Sequence, residues 1–250
     1  MNINWNADKY TEQFGFVHHY GEDVLKLLDL TPGQTVLDLG CGNGALTEKL
    51  DLAGAKVIGM DASAEMLKTA RALHPDLTFL QADATDFSLE EPADAVFSNA
   101  VFHWIDDQDA LLSCIRKSLK PGGQLVCEFG GHGCAGIIHD ALAKAFSRRG
   151  IPYANTFYFP TIGEYTPILE RHGLRTVYAS LFDRFTPLEG PDGVADWIRM
   201  FIKEPFSSLS PETSLDIIKE AAEETRPALF RGGIWHADYV RIRLKAVRVD

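Results

Sequence analysis

The stretch Thr35-Val-Leu-Asp-Leu-Gly-Cys-Gly-Asn-Gly44 has the residue types to hold a ligand. A short apolar run ends in three alternate glycines, and Asp38 sits two residues before the first of them. Glycines at a strand-to-helix turn let backbone approach a ligand that a Cβ would hold off. An acid beside that turn selects the ligand's charge. A diphosphate would be repelled, whereas a molecule carrying an ammonium and a sulfonium would be attracted.

Gly40-Cys-Gly42-Asn-Gly44-Ala45 also fits the dinucleotide pattern G-x-G-x-x-[GA], with Asp61 at a suitable distance. A nicotinamide enzyme of the short-chain type would add a Tyr followed four residues later by Lys. Tyr153 leads to Phe157, Tyr158 to Ile162 and Tyr239 to Arg243, so that pair is missing. Three further segments could act with the glycine turn: Asp61-Ala-Ser63, Gln81-Ala-Asp83-Ala84, and Ser98-Asn-Ala-Val-Phe-His-Trp104.

These segments need a frame that brings them together. Apolar runs at 35–39, 55–60, 77–81, 93–98 and 123–129 alternate with amphipathic stretches at 44–53, 63–73 and 107–118, and an earlier helical pattern covers 22–30. Such alternation predicts an α/β fold, a parallel sheet with helices on both faces. Ligands then bind at the carboxyl ends of the strands, where strand order reverses. All four segments follow strands and should meet there.

Beyond residue 130 the rhythm changes. Helices are expected near 137–149 and 161–172, an aromatic loop over 151–160, a strand at 174–185, helices near 192–203 and 211–224, and a closing strand at 239–249. Residues 130–160 and 187–235 are expected to form a small helical cap over the ligand edge. Residues 1–30 are expected to form a helical lid, with Trp5, Tyr10, Phe14, Phe16, His18 and His19 as candidate contacts.

The motifs resemble those of class I S-adenosylmethionine-dependent methyltransferases. Val36-Leu-Asp-Leu-Gly-Cys-Gly-Asn-Gly44 is similar to the family's first motif, Val57-Ile-Gly-Met-Asp61 to its second and Gln81-Ala-Asp83 to its third. The run Asp94–Asn99 with Phe102-His-Trp104 is similar to its fourth, and Leu119-Lys-Pro-Gly-Gly123 to the lead-in of its fifth strand. The likeness covers residues 30–130. Outside it the chain more loosely resembles trans-aconitate methyltransferase-like and other small-molecule members.

The resemblance implies one Rossmann-like domain over 1–250, with a seven-stranded, mostly parallel sheet whose last strand is antiparallel. It implies S-adenosylmethionine as cofactor and S-adenosylhomocysteine as product. The cofactor site would comprise Asp38, Gly40, Cys41, Gly42, Asp61, Ala62, Asp83, Ala84 and Asn99. Gly40 and Gly42 would meet the methionine moiety, Asp61 the ribose, and Asp83 with Ala84 the adenine.

His103 is the candidate catalytic base, although a carboxylate acceptor, already anionic, would need none. Trp197, Phe201, Trp235 and His236 are candidates for the acceptor pocket, and Arg148, Arg149 or Arg199 for a fork gripping an acid. The acceptor is expected to be a small carboxylate or other metabolite, with a lipid or quinone as the alternative. A protein that binds the cofactor without methylating is the reading from another class.

Nucleic acid is not expected as acceptor. The formal charge is −11, and the fourth motif reads Ser-Asn-Ala-Val rather than Asn-Pro-Pro-aromatic. The basic run Arg241-Ile-Arg243-Leu-Lys245 reads as the wet face of a strand. No metal is expected: Asp106, Asp107 and Asp109 suit a helix N-terminus, and His132, Cys134 and His139 lack zinc spacing. Four scattered cysteines, an unremarkable N-terminus and no long apolar run predict a cytoplasmic chain without stable membrane association.

Overall fold

The computed structural model describes residues 16–250, with side chains from Tyr20 onward. Trp5, Tyr10 and Phe14, and the side chains of Phe16, His18 and His19, lie outside the described residues.

Thr35–Leu39 (β1) carries Val36, Leu37 and Leu39 and is buried on both faces, so it occupies the middle of the sheet. It pairs in parallel with Lys56–Asp61 (β2) on one side and Ala93–Asn99 (β4) on the other. Thr78–Gln81 (β3) extends the sheet beyond β2, and Leu119–Gly130 (β5) extends it beyond β4. Ile234–Arg248 (β8) then runs antiparallel between β5 and the edge strand Leu174–Leu188 (β6). The order is β3-β2-β1-β4-β5-β8-β6. The seven strands foreseen are all present, and the two-residue strand Phe230–Arg231 (β7), paired to β8, is an addition.

Phe16–Leu25 (α1) and Ala45–Leu52 (α2) cover one face, where Val24, Leu46 and Leu50 pack on Val36, Ala95 and Phe97. Gln108–Ser118 (α4) and Ile162–Arg171 (α6) cover the other, with Leu111, Leu112, Ile115, Tyr165 and Leu169 against Leu37, Val96 and Leu125. Ala64–Leu73 (α3) packs on β2 and β3 and is capped by Ser63, whose Oγ accepts from Met66 N. The first helix starts and ends earlier than its leucine spacing predicts. Leu27 and Leu28 close a turn onto Val24 and Leu25 instead of continuing it.

The segments expected to form the cap have a core of their own. Gly136–Ser147 (α5), Gly193–Phe201 (α7) and Pro211–Leu229 (α8) bury Phe146, Trp197, Ile198 and Ile217 together, with Phe157 and Phe159 of the aromatic loop against them. The strands feeding the cap are longer than expected. β6 and β8 stay paired to Leu188 and Trp235, beyond the end of β5, which stops opposite Arg241. Pro187, the first residue of the segment expected to form the cap, lies inside β6. It is tolerated inside β6 because β6 is the sheet edge, where a missing N–H breaks no ladder bond.

Candidate functional site

Strand order reverses between β1 and β4, and a cavity of about 520 Å³ opens above that point. Gly40, Gly42, Asp61, Ala62, Asp83, Ala84, Asn99 and His103 all line it, so the four predicted loops do converge. Gly40 has φ +77°, and a Cβ there would fall 2.1 Å from Val101 Cγ2 of the fourth loop. Glycine is what lets the first and fourth loops close on each other.

The first three backbone amides of the glycine turn, those of Gly40, Cys41 and Gly42, are already committed. Gly40 N–H and Cys41 N–H both donate to Met60 O, at 2.7 and 3.0 Å, and Gly42 N–H donates to Asp61 Oδ2 at 2.9 Å. A dinucleotide's pyrophosphate needs such amides free, and here it would meet the Asp61 carboxylate instead. Asp61 also accepts from Ser63 N–H at 2.8 Å, which fixes its orientation at the end of β2; burial pushes its carboxyl up. Asp83 is held by the Thr85 amide and hydroxyl, at 2.8 and 2.6 Å, and these bonds keep its carboxyl below the usual range.

Two residues predicted for the site do not line the cavity. Asp38 is buried beneath the turn, where Thr47 Oγ1 donates to its Oδ2 at 2.6 Å, and burial pushes its carboxyl up to about 7. Cys41 packs with Leu67, Ala70 and Phe79 behind the loop. The exclusion of a diphosphate therefore rests on the committed amides and Asp61, not on Asp38. This also gives Asp38 a stability signature. The folded chain keeps the proton between about pH 4 and 7 and the unfolded chain loses it, so stability falls as pH rises through that window. Asp38→Asn should be about 2 kcal/mol more stable than the native chain at pH 8, the gap closing towards pH 4. Melting temperatures at the two pH values check this, and a destabilised variant at pH 8 would contradict it.

The fourth loop is pinned from below. Gln108 Nε2 donates to Phe102 O (2.9 Å) and Ile105 O (2.7 Å), and Tyr165 Oη donates to Gln108 Oε1 at 2.8 Å. This holds the 3-10 turn Phe102–Trp104, which carries His103 and Trp104 into the cavity. Ala100, at φ +62°, gives its N–H to Glu128 O at 2.7 Å. A left-handed alanine costs on the order of 1 kcal/mol or more, and such strain collects at functional sites.

His103 does not have the geometry of a base. Its Nδ1 accepts from Gly130 N–H at 3.2 Å, so the neutral ring presents Nε2–H, a donor. Burial and the neighbouring Arg241 guanidinium hold its pKa well below the ordinary value, which keeps the ring neutral. Nitrogen-15 NMR of the histidines should show one ring fixed in the Nε2–H form from pH 6 to 8; a titration near 6.5 would restore the base role.

Beyond His103 the cavity is walled by Trp104, Phe157, Phe159, Trp197, Phe201 and Tyr239. Trp197 and Phe201, two of the candidates from the sequence, are thus among the lining residues. Trp235 is instead buried against Pro191 O, and His236 stands with Phe185 away from the cavity lining. The predicted arginine fork is elsewhere: Arg148 and Arg149 pair with Glu220, Arg148 also with Glu224, and Arg199 pairs with Asp196. Arg241, read from the sequence as solvent-facing, lines the cavity instead. Arg243 and Lys245 of the same run are tied to Glu128 and Asp29. Asp107 caps α4, and Asp109 pairs with His172.

Fold and site together define a class I S-adenosylmethionine-dependent methyltransferase. The residues fit that cofactor: a glycine cradle closed to phosphate, and carboxylates after β2 and β3 for hydroxyl and amino donors. Comparison with known proteins agrees. A methyltransferase domain family matches residues 37–127. An uncharacterized methyltransferase of Schizosaccharomyces pombe is 30% identical over 97% of this chain and 97% of its own. A trans-aconitate 2-methyltransferase of Azoarcus sp. is 36% identical, but over half of each chain. A Haemonchus contortus phosphoethanolamine N-methyltransferase 2, solved with S-adenosyl-L-methionine, superposes with a TM-score of 0.59 at 21% identity, covering 93% of this chain and 53% of that one. The chain belongs to this methyltransferase family, and it is an enzyme with S-adenosylmethionine as cofactor.

Proposed function

We propose that this enzyme methylates a small-molecule acceptor, a carboxylate or comparable metabolite, held in the aromatic chamber beyond His103. The observation that carries this reading is the single cavity running from the glycine turn to the cap aromatics, about 520 Å³ in all. That size is in the range of small-ligand pockets. In this reading Gly40 and Gly42 hold the methionine moiety, Asp61 and Ala62 the ribose, Asp83 and Ala84 the adenine, and Asn99 flanks the reacting end. When bound, S-adenosylmethionine supplies a methyl carbon already activated by its sulfonium.

What remains for the protein is alignment and exclusion of water. The turn bearing His103 and Trp104 shapes the boundary between the two halves of the cavity, and the cap rings keep the acceptor half dry. His103 gives a hydrogen bond to the acceptor rather than taking a proton from it, which suits an acceptor that arrives anionic. The domain is read as one unit over 1–250, with a cofactor core at 30–130 and a cap from 130–160 and 187–235. Four buried, unpaired thiols support a reducing, cytoplasmic setting, and among the described residues no helix is long and apolar enough to cross a membrane.

The trans-aconitate methyltransferases among the relatives favour a carboxylate acceptor. Incubation with methyl-labelled S-adenosylmethionine and a panel of organic acids, phenols and lipids tests the proposal. Label should move to acids. Cofactor binding without transfer to any of the panel would contradict it.

A further inference from the structure

We propose that Arg241 is the acceptor's anchor and that the acceptor is a flat, largely apolar molecule bearing a single anionic group. The inference deepens the small-molecule reading above and rests on it.

Charge is divided unevenly along the cavity. Its acids all follow β2 or β3: Asp61 ends β2, Glu65 lies in the first turn of α3, and Asp83 is in the loop after β3. Arg241 is the one Lys or Arg in its lining among the described residues, and it lies at the other end, opposite Gly130 where β5 stops. It is only 8% exposed, its Nε is buried without a hydrogen-bond partner, and among the described residues it makes no ion pair. An arginine stays charged under all ordinary conditions. Burying one without a counter-ion is strongly unfavourable, so a purely structural role gives no reason to keep it.

Neighbouring basic residues on the same strand show the contrast. Arg243 shares the Glu128 carboxylate with Arg184, and Lys245 meets Asp29. Arg241 faces the cavity with its fork unspent. It is also held ready: its guanidinium lies 4.4 Å over the Tyr239 ring, and Trp197 Nε1 fixes that ring by donating to Tyr239 Oη at 2.6 Å. A planar fork of this kind suits a carboxylate or another oxyanion.

The rest of the chamber sets how much charge the acceptor carries. Trp104, Phe157, Phe159, Trp197 and Phe201 offer flat apolar surface, with Phe157 and Phe159 stacked at 5.1 Å and 11°. Neutral His103 adds one donor but no charge. One guanidinium compensates one negative charge; a second or third carboxylate would be desolvated against aromatic rings with nothing to pair it. The pocket therefore favours an aromatic or conjugated monoacid over a tricarboxylate of the trans-aconitate kind.

Calorimetry on the full chain saturated with S-adenosylhomocysteine tests this with three probes: trans-cinnamate, its neutral amide and trans-aconitate. The expected result is that trans-cinnamate binds roughly tenfold or more tightly than either other probe. Arg241→Gln should reduce trans-cinnamate to the level of the amide, leaving the affinities for the amide and for S-adenosylhomocysteine unchanged. Arg241→Lys, which keeps the charge and loses the fork, should fall between. The proposal is overturned if trans-cinnamate binds no better than its amide, if trans-aconitate binds as tightly, or if Arg241→Gln leaves trans-cinnamate unaffected. The wild-type probe comparison and the lysine variant decide the matter even where the glutamine variant fails to fold. Failure of the small-molecule reading looks different: no methylated product would form from any small acid, phenol or lipid, whatever Arg241 binds.

Discussion

Replacing Asp61 with alanine should weaken S-adenosylhomocysteine binding by on the order of 3–4 kcal/mol, a loss of several hundred-fold. Two effects add. In the proposed reading the carboxylate at the end of β2 accepts from the ribose hydroxyls, and hydrogen bonds to a charged group are worth roughly 1.5–3 kcal/mol. The same carboxylate holds Gly42 N–H at 2.9 Å and Ser63 N–H at 2.8 Å, so its removal also loosens the glycine turn and the start of α3. Asp61→Asn separates the two, since the amide oxygen can still accept one backbone bond. Its loss should be smaller. Titration calorimetry of both variants measures this, and an Asp61→Ala affinity within threefold of the native value would remove Asp61 from the site.

Replacing Glu128 with alanine should cost about 3–5 kcal/mol of folding stability, the range for breaking a buried ion pair and stranding its partner. Glu128 is 2% exposed. Its carboxylate takes Arg184 at both oxygens, the Nη2 contact being 3.1 Å, and takes Arg243 Nε at 2.7 Å. Tyr20 of α1 stacks on Arg184 at 4.4 Å, so the cluster also ties the first helix to the sheet. For a chain of this length the cost corresponds to a melting-temperature drop of roughly 10 °C. The triple variant with Arg184→Met and Arg243→Met should regain much of the loss, because the stranded cations are then gone. A single-variant change under about 1 kcal/mol would contradict the account. The effect also bears on the site, since Glu128 O holds the strained Ala100 at the root of the fourth loop.

The half of the molecule built from β1 to β5 was readable because its physics is local. Buried parallel strands are rich in apolar residues on both faces, as Val36, Leu37 and Leu39 of β1 are. Each is followed by its loop in the chain, so Gly40, Asp61, Asp83 and Asn99 could be placed at one edge without coordinates. Side-chain direction was less accessible. Asp38 and Cys41 adjoin the glycine turn in sequence, yet one points beneath it to Thr47 and the other packs behind it. The aromatic end of the cavity was unreadable for a different reason. Arg241 reaches the cavity only through the register of β8 on β5, an antiparallel pairing between segments more than a hundred residues apart. In the sequence its alternation with Ile242 and Leu244 is the pattern of a half-exposed strand. Arg148, Arg149 and Arg199 look equally available until the cap folds and supplies their acids.

The central claim is that the four loops following β1 to β4 form the S-adenosylmethionine site. Amide hydrogen exchange on the full chain, with and without S-adenosylhomocysteine, tests it most directly. The account predicts new protection in the segments 40–44, 61–64, 82–85 and 99–104, and no protection there from NAD. Protection by NAD at these segments, or by S-adenosylhomocysteine only elsewhere, would contradict it.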